Sequence, residues 1–201
     1  MVATLFVLSP ARCGGPRAAQ LARSRDAALG ALLREGQAPL GDVFAWLSAL
    51  YFRGKLAYAR RFASPPAGVH GTLVMAPGLG LCPPETPLSD DVLAMMGAID
   101  VESAAFVAPL ARDAARLAAT CADDTRVVLL GSIATGKYTD TLRATFGARL
   151  VFPADFVGRG DMSRGGLLLR AARSGEELAY QPVEGAVRRG VRPPKLPPVR
   201  R

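Results

Sequence analysis

The chain has 201 residues, half of them apolar, with 25 basic and 17 acidic side chains and a net charge of +8. That length can bury a proper core without staples, and that apolar fraction argues against a disordered chain. Cys13, Cys82 and Cys121 are widely spaced with no Cys-x-x-Cys pair, so they fit reduced thiols better than a disulfide frame or zinc site; a single histidine, His70, excludes a metal site built on imidazoles.

"VATLFVL" opens the chain as a strand over residues 3–8, too short and lacking the basic start of a signal peptide or membrane span. We therefore expect a cytoplasmic protein with no membrane partner. Pro16 suits the first turn of a helix over 16–34, and "LGDVFAWLSALYFRGKLAYARRF" carries helical periodicity over 40–62. A strand follows at 71–76. His70 just before it reads as a loop histidine. "PGLGLCPPETP" is too rich in Gly and Pro for either element and reads as a loop, without the strand-to-helix setting of a dinucleotide fingerprint.

Helices are expected over 88–98 and 101–120, the second bent or interrupted at Pro109. Strands at 126–131 and 148–153 flank a short helix over 138–146. Asp161 reads as the N-cap of a helix over 162–173 that Gly175 ends, and "ELAYQPV" reads as a last strand. The alternation predicts an α/β fold: a single domain over 1–187, with a mixed sheet flanked by helices.

Residues 188–201, "RRGVRPPKLPPVRR", hold six basic residues and no acid, and read as an extended or disordered proline-rich tail. Setting those six aside reduces the 25 basic residues to 19, against 17 acidic. The excess charge is thus largely a property of the tail, which could hold a phosphate backbone, present a polyproline ligand to a protein, or simply be solvated.

"VVLLGSIATGKYTD" looks like a phosphate-binding loop, with Gly131, Gly136 and Lys137 after an apolar strand. However, Tyr138 follows the lysine where a magnesium-holding Ser or Thr would be required, so a nucleotide triphosphatase is not expected. Three strand ends instead carry hydroxyls and cations: Ser9 and Arg12; Ser132, Lys137 and Tyr138; and Arg159, Ser163 and Arg164 around a helix start. If they converge outside the carboxyl ends of the strands, they form a cleft for a phosphate or nucleobase. Taken singly, each segment also reads as turn residues, a cap and solvated charges.

"FVLSPARC", "LVMAPGLGLCPPETPL", "VVLLGSIATGKYTDTL" and "GRGDMSRGGLLL" resemble, in order and approximate spacing, segments of the YaaA family of peroxide-stress proteins. The resemblance extends over roughly Thr4 to Val183, with Arg12 standing where the family usually has lysine. It implies a YaaA-like fold and DNA binding through a basic cleft, connected with the response to oxidative stress. Arg12, Lys137, Arg159 and Arg164 would contact phosphates; Ser9, Ser132, Tyr138 and Ser163 would hydrogen-bond or stack on a base. The alternative is an enzyme acting on a nucleoside, nucleotide or other phosphorylated small molecule in the same cleft, with Asp161 as a candidate acid or base. Neither reading calls for a metal or cofactor.

Overall fold

The computed structural model describes residues 2–23, 28–134, 136–187, 190–194 and 196. Its centre is a six-stranded mixed sheet. β1 (Thr4–Leu8) lies in the middle, parallel to both β3 (Thr72–Ala76) and β6 (Arg126–Leu130). β7 (Leu150–Pro153) extends the parallel set beside β6. β4 (Gly80–Cys82) and β8 (Tyr180–Pro182) close the two edges in antiparallel sense. All five residues of β1 and of β3 are buried, as expected of central strands covered on both faces.

The chain leaves β1 through α1 (Pro16–Arg23), α2 (Ala28–Arg34) and α3 (Leu40–Phe62) to reach β3 on one side. It then crosses through α4 (Asp90–Ala98) and α5 (Ala104–Thr120) to β6 on the other side of β1. Right-handed crossovers in opposite directions place the two helix groups on opposite faces. Accordingly, α3 packs along α7 (Asp161–Ser174), while α5 packs beside α6 (Lys137–Phe146). Because the connections reverse direction at β1, a crevice opens at the carboxyl ends of β1 and β6, where ligands collect in such sheets.

Several local expectations are refined. The helix expected over 16–34 is described as two, α1 and α2, with 24–27 outside the described residues. α3 spans the expected residues but is broken at Ala49, whose φ of 46° and ψ of −121° are not helical. α5 runs continuously through Pro109. The loop after β3 contains β4, which folds back on β3 through Gly78 and Gly80, both at positive φ, and a two-residue strand, β5 (Pro87–Leu88), paired with β2 (Ala38–Pro39). Asp161 is the first residue of α7, and Gly160 occupies the N-cap position without a side-chain cap. Gly175 ends α7 in the left-handed conformation, as expected.

The core on the α3 face is aromatic. Phe44 and Phe52 meet edge-on at 5.3 Å, and Phe6 meets Tyr58 at 5.7 Å. Burying each such ring contributes on the order of 2 kcal/mol. The Tyr58 hydroxyl accepts from the Leu178 N–H and shares a 2.8 Å hydrogen bond with Tyr180, tying α3 to the edge strand β8.

Candidate functional site

β1 and β6 run in register, Leu8 opposite Leu130, so the residues that follow them, Ser9 and Gly131–Ser132, emerge side by side. The Ser9 N–H donates to the Leu130 carbonyl at 3.1 Å, prolonging the ladder by one step. Above them lies a cleft of about 800 Å³, lined among others by Ser9, Arg12, Tyr51, Ser132, Tyr138 and Asp161. Lys137 and the end of α4 complete its wall, where Gly97 lies so close to Gly14 that a Cβ on either would meet backbone. The cleft therefore occupies the reversal point of the sheet.

Beneath its floor is a residue that the sequence reading did not single out. Lys55, on α3, is 1% exposed, and its ammonium nitrogen donates to the Ser9 carbonyl at 2.7 Å and reaches the Ser9 Oγ at 3.0 Å. It also lies over the Tyr51 and Phe52 rings, at 4.6 and 4.7 Å from their centroids. Burial pushes its pKa down to about 7, with Asp161 opposing the shift and Arg164 adding to it. Lysine rarely lies buried unless paired. In sequence, Lys55 is one cation among several on a long helix; only its tertiary placement distinguishes it.

Tyr138 closes the turn after β6. Its hydroxyl donates to the Ser132 carbonyl and accepts from the Ser132 N–H, both at 3.0 Å. A phosphate-binding loop needs that N–H free, so the tyrosine that breaks the motif in sequence also occupies the donor in space. The same hydroxyl neighbours Ser9, and a Cβ on Gly131 would lie 2.8 Å from it and 2.9 Å from the Ser9 Cβ. Burial raises the Tyr138 pKa, offset in part by its bonds to Ser9 and Ser132, so the phenol stays protonated. Lys55, Ser9, Tyr138 and Ser132 thus form one connected polar chain.

Charge is concentrated at the rim. Arg12 is exposed, and Lys137, at the start of α6, is 39% exposed with its ammonium 4.0 Å from Glu102. An exposed pair at that distance is weak and readily exchanged for another anion. Asp161 reaches the cleft from α7. Behind it, the Tyr51 hydroxyl is buried toward Arg164 without reaching hydrogen-bond geometry, and burial raises its pKa.

The third expected segment divides. The Arg164 side chain is 11% exposed, donates through Nε and Nη2 to the Phe156 carbonyl at 3.2 and 3.1 Å, and stacks on the Phe156 ring. It braces the start of α7 and does not line the cleft. Arg159 and Ser163, bonded to each other at 3.2 Å, line a separate groove of about 350 Å³ with Arg192, Pro193, Pro194 and Leu196. There Arg159 also donates to the Pro194 carbonyl at 3.4 Å. Residues 190–194 and 196 of the expected tail thus lie along the start of α7, while 188–189, 195 and 197–201 lie outside the described residues.

Ser9, Arg12, Ser132, Lys137 and Tyr138 are therefore brought together, and Lys55, Tyr51 and Asp161 join them. His70 is exposed before β3. Among the described residues no group of three or more His, Cys, Asp or Glu could hold a metal ion, and no helix is long and apolar enough to cross a membrane. Comparison with family models, curated proteins and solved structures finds no match to this chain.

Proposed function

We propose that this protein is an enzyme acting on a nucleotide-like or otherwise phosphorylated small molecule in the cleft between β1 and β6. The observation that carries this reading is the convergence of Ser9, Ser132 and Tyr138 with the rim cations Arg12 and Lys137 at the reversal point of the sheet. The cleft has the volume of a small-molecule site. Arg12 and Lys137 would hold the anionic group, and the hydroxyls lining the cleft would orient the remainder. The three cysteines are free thiols, which supports a reducing compartment such as the cytoplasm.

Titration with inorganic phosphate and a panel of nucleoside monophosphates, followed by calorimetry, tests the reading. Binding that falls at least tenfold in Arg12→Ala and Lys137→Ala, about 1.4 kcal/mol, is the expected result. Binding that ignores both substitutions overturns it.

A YaaA-like role in binding DNA under peroxide stress is the second reading, favoured by the net charge of +8 and by the resemblance of the cleft segments to that family. Against it, Arg164 is bonded within the fold and Arg159 to Ser163 and Pro194, so two of the four expected phosphate contacts are already engaged. Duplex DNA binding whose affinity falls steeply with salt and drops on Lys137→Ala would favour this second reading over the first.

A further inference from the structure

A buried lysine without a carboxylate partner needs a reason, because a buried ammonium costs several kcal/mol of desolvation and a methionine would fill similar space without that cost. Among the described residues Lys55 makes no ion pair, its side-chain hydrogen bonds both go to Ser9, and it lies directly under the cleft floor. Serine is a weak nucleophile unless a base beside it takes its proton, and lysine in a dry site is one of the bases that can. Ser9 meets the other requirement, since it lines the cleft at the end of a rigid central strand.

Building on the small-ligand reading above, we propose that Ser9 is a nucleophile and Lys55 its general base, performing acyl transfer on an ester or amide of a phosphorylated or nucleotide-like molecule. In the first half-reaction the Ser9 Oγ forms a bond to the acyl carbon as its proton passes to the neutral Lys55 Nζ, 3.0 Å away. The ammonium returns that proton to the leaving oxygen or nitrogen as its bond to the acyl carbon breaks, leaving Ser9 acylated. In the second, water adds to the acyl carbon, Lys55 takes a proton from it and delivers it to the departing Ser9 Oγ. The sum is hydrolysis, with free acid and alcohol or amine as products and the enzyme regenerated.

The surroundings fit this cycle. The Ser9 proton has two acceptors, the Tyr138 hydroxyl at rest and the Lys55 amine when neutral. The groups that face Lys55 are Ser9 beyond β1, Tyr51 and Phe52 on α3, and Asp161 and Arg164 on α7, with Tyr138 on α6 reaching it through Ser9. Asp161 stabilises the transient ammonium, and Arg164 and burial keep it from persisting. Arg12 and Lys137 supply the positive charge that an anionic substrate meets at the rim.

The test is labelling of the full chain by a fluorophosphonate, in which the serine oxygen bonds to phosphorus and fluoride leaves. A single adduct is expected, mapped by peptide mass to Ser9, abolished in Ser9→Ala and slowed about 100-fold or more in Lys55→Met. The labelling rate of the unmodified chain should rise through neutral pH as Lys55 loses its proton. No adduct, an adduct on another serine, or a folded Lys55→Met chain that labels as fast as the parent overturns the proposal. Should Lys55→Met fail to give a cooperative melt, the pH profile of the parent decides: a rate that rises through neutrality supports the base, and a flat one overturns it. Adding phosphate or nucleoside monophosphates separates the two levels of inference. Protection by them supports the small-ligand reading, whereas labelling at Ser9 without protection leaves the nucleophile standing and counts against that reading.

Discussion

Gly54 of α3 and Gly165 of α7 face each other at backbone contact: a Cβ on Gly54 would lie 2.6 Å from the Gly165 carbonyl oxygen, and one on Gly165 would lie 2.7 Å from the Leu50 carbonyl. Only hydrogen atoms fit between the two helices at this crossing. The close approach matters for the site, because it brings Tyr51 and Lys55 beside Asp161 and Arg164.

Gly54→Ala and Gly165→Ala should therefore destabilise the fold, although alanine is the better helix former by about 1 kcal/mol. The methyl group meets backbone that cannot rotate away, and overpacking of this kind costs roughly 1–3 kcal/mol or more. Thermal melts should show a lower midpoint for each variant, and an unchanged or raised midpoint would refute the tight crossing.

Lys55 should leave a signature in the pH dependence of stability. Its pKa is about 7 when folded, against an ordinary value of 10.5, so between these values the unfolded chain binds the extra proton and stability rises with pH. The slope from this group approaches about 1.4 kcal/mol per pH unit. Above pH 9 the buried Cys13 thiol, pushed up to about 12, begins to act in the opposite direction, so the clean window is pH 7 to 9. Denaturant melts across that window should show the rise in the parent chain, and Lys55→Met should lose it.

Arg164 should behave as a brace. Its two bonds to the Phe156 carbonyl need the planar fork of a guanidinium, and its ring contact with Phe156 needs the same flat group. Arg164→Ala should cost roughly 1–3 kcal/mol through the loss of two charge-assisted bonds, leaving the Phe156 carbonyl with the Arg159 N–H as its remaining partner. Arg164→Lys should recover only part of the loss, which chemical denaturation of the three chains would measure.

Ala49 holds a φ of 46° inside α3, next to the cleft residue Ser48. A side chain in such a conformation is strained by on the order of 1–3 kcal/mol, and glycine removes most of that cost. Ala49→Gly should raise the melting midpoint, and a lower midpoint would contradict the break in α3.

Much of the architecture was legible in the chain. Apolar runs such as "TLFVL" and "RVVLL" have the length and composition of buried parallel strands, and the periodic segments between them have the spacing of helices, so an α/β sheet follows from local pattern. Ser9, Ser132 and Tyr138 could be nominated because hydroxyls at strand ends are a local signal. β4 escaped notice because it is three residues long and depends on glycines that let the chain turn back. The division between Arg12 and Lys137 at the cleft and Arg159 and Arg164 elsewhere was not legible, since an arginine in sequence carries no record of which carbonyl it will meet.

By itself the sequence determined the class of fold, the positions of its longer strands and helices along the chain, and the hydroxyl residues that end the central strands, all consequences of short-range periodicity and turn chemistry. The tertiary structure alone decided that Lys55, 46 residues from Ser9, loses its water and settles under that serine. The reason is physical: hydrophobic periodicity selects the buried face of a helix, but the charge state of a lysine on it depends on which groups the rest of the chain brings within a few ångströms.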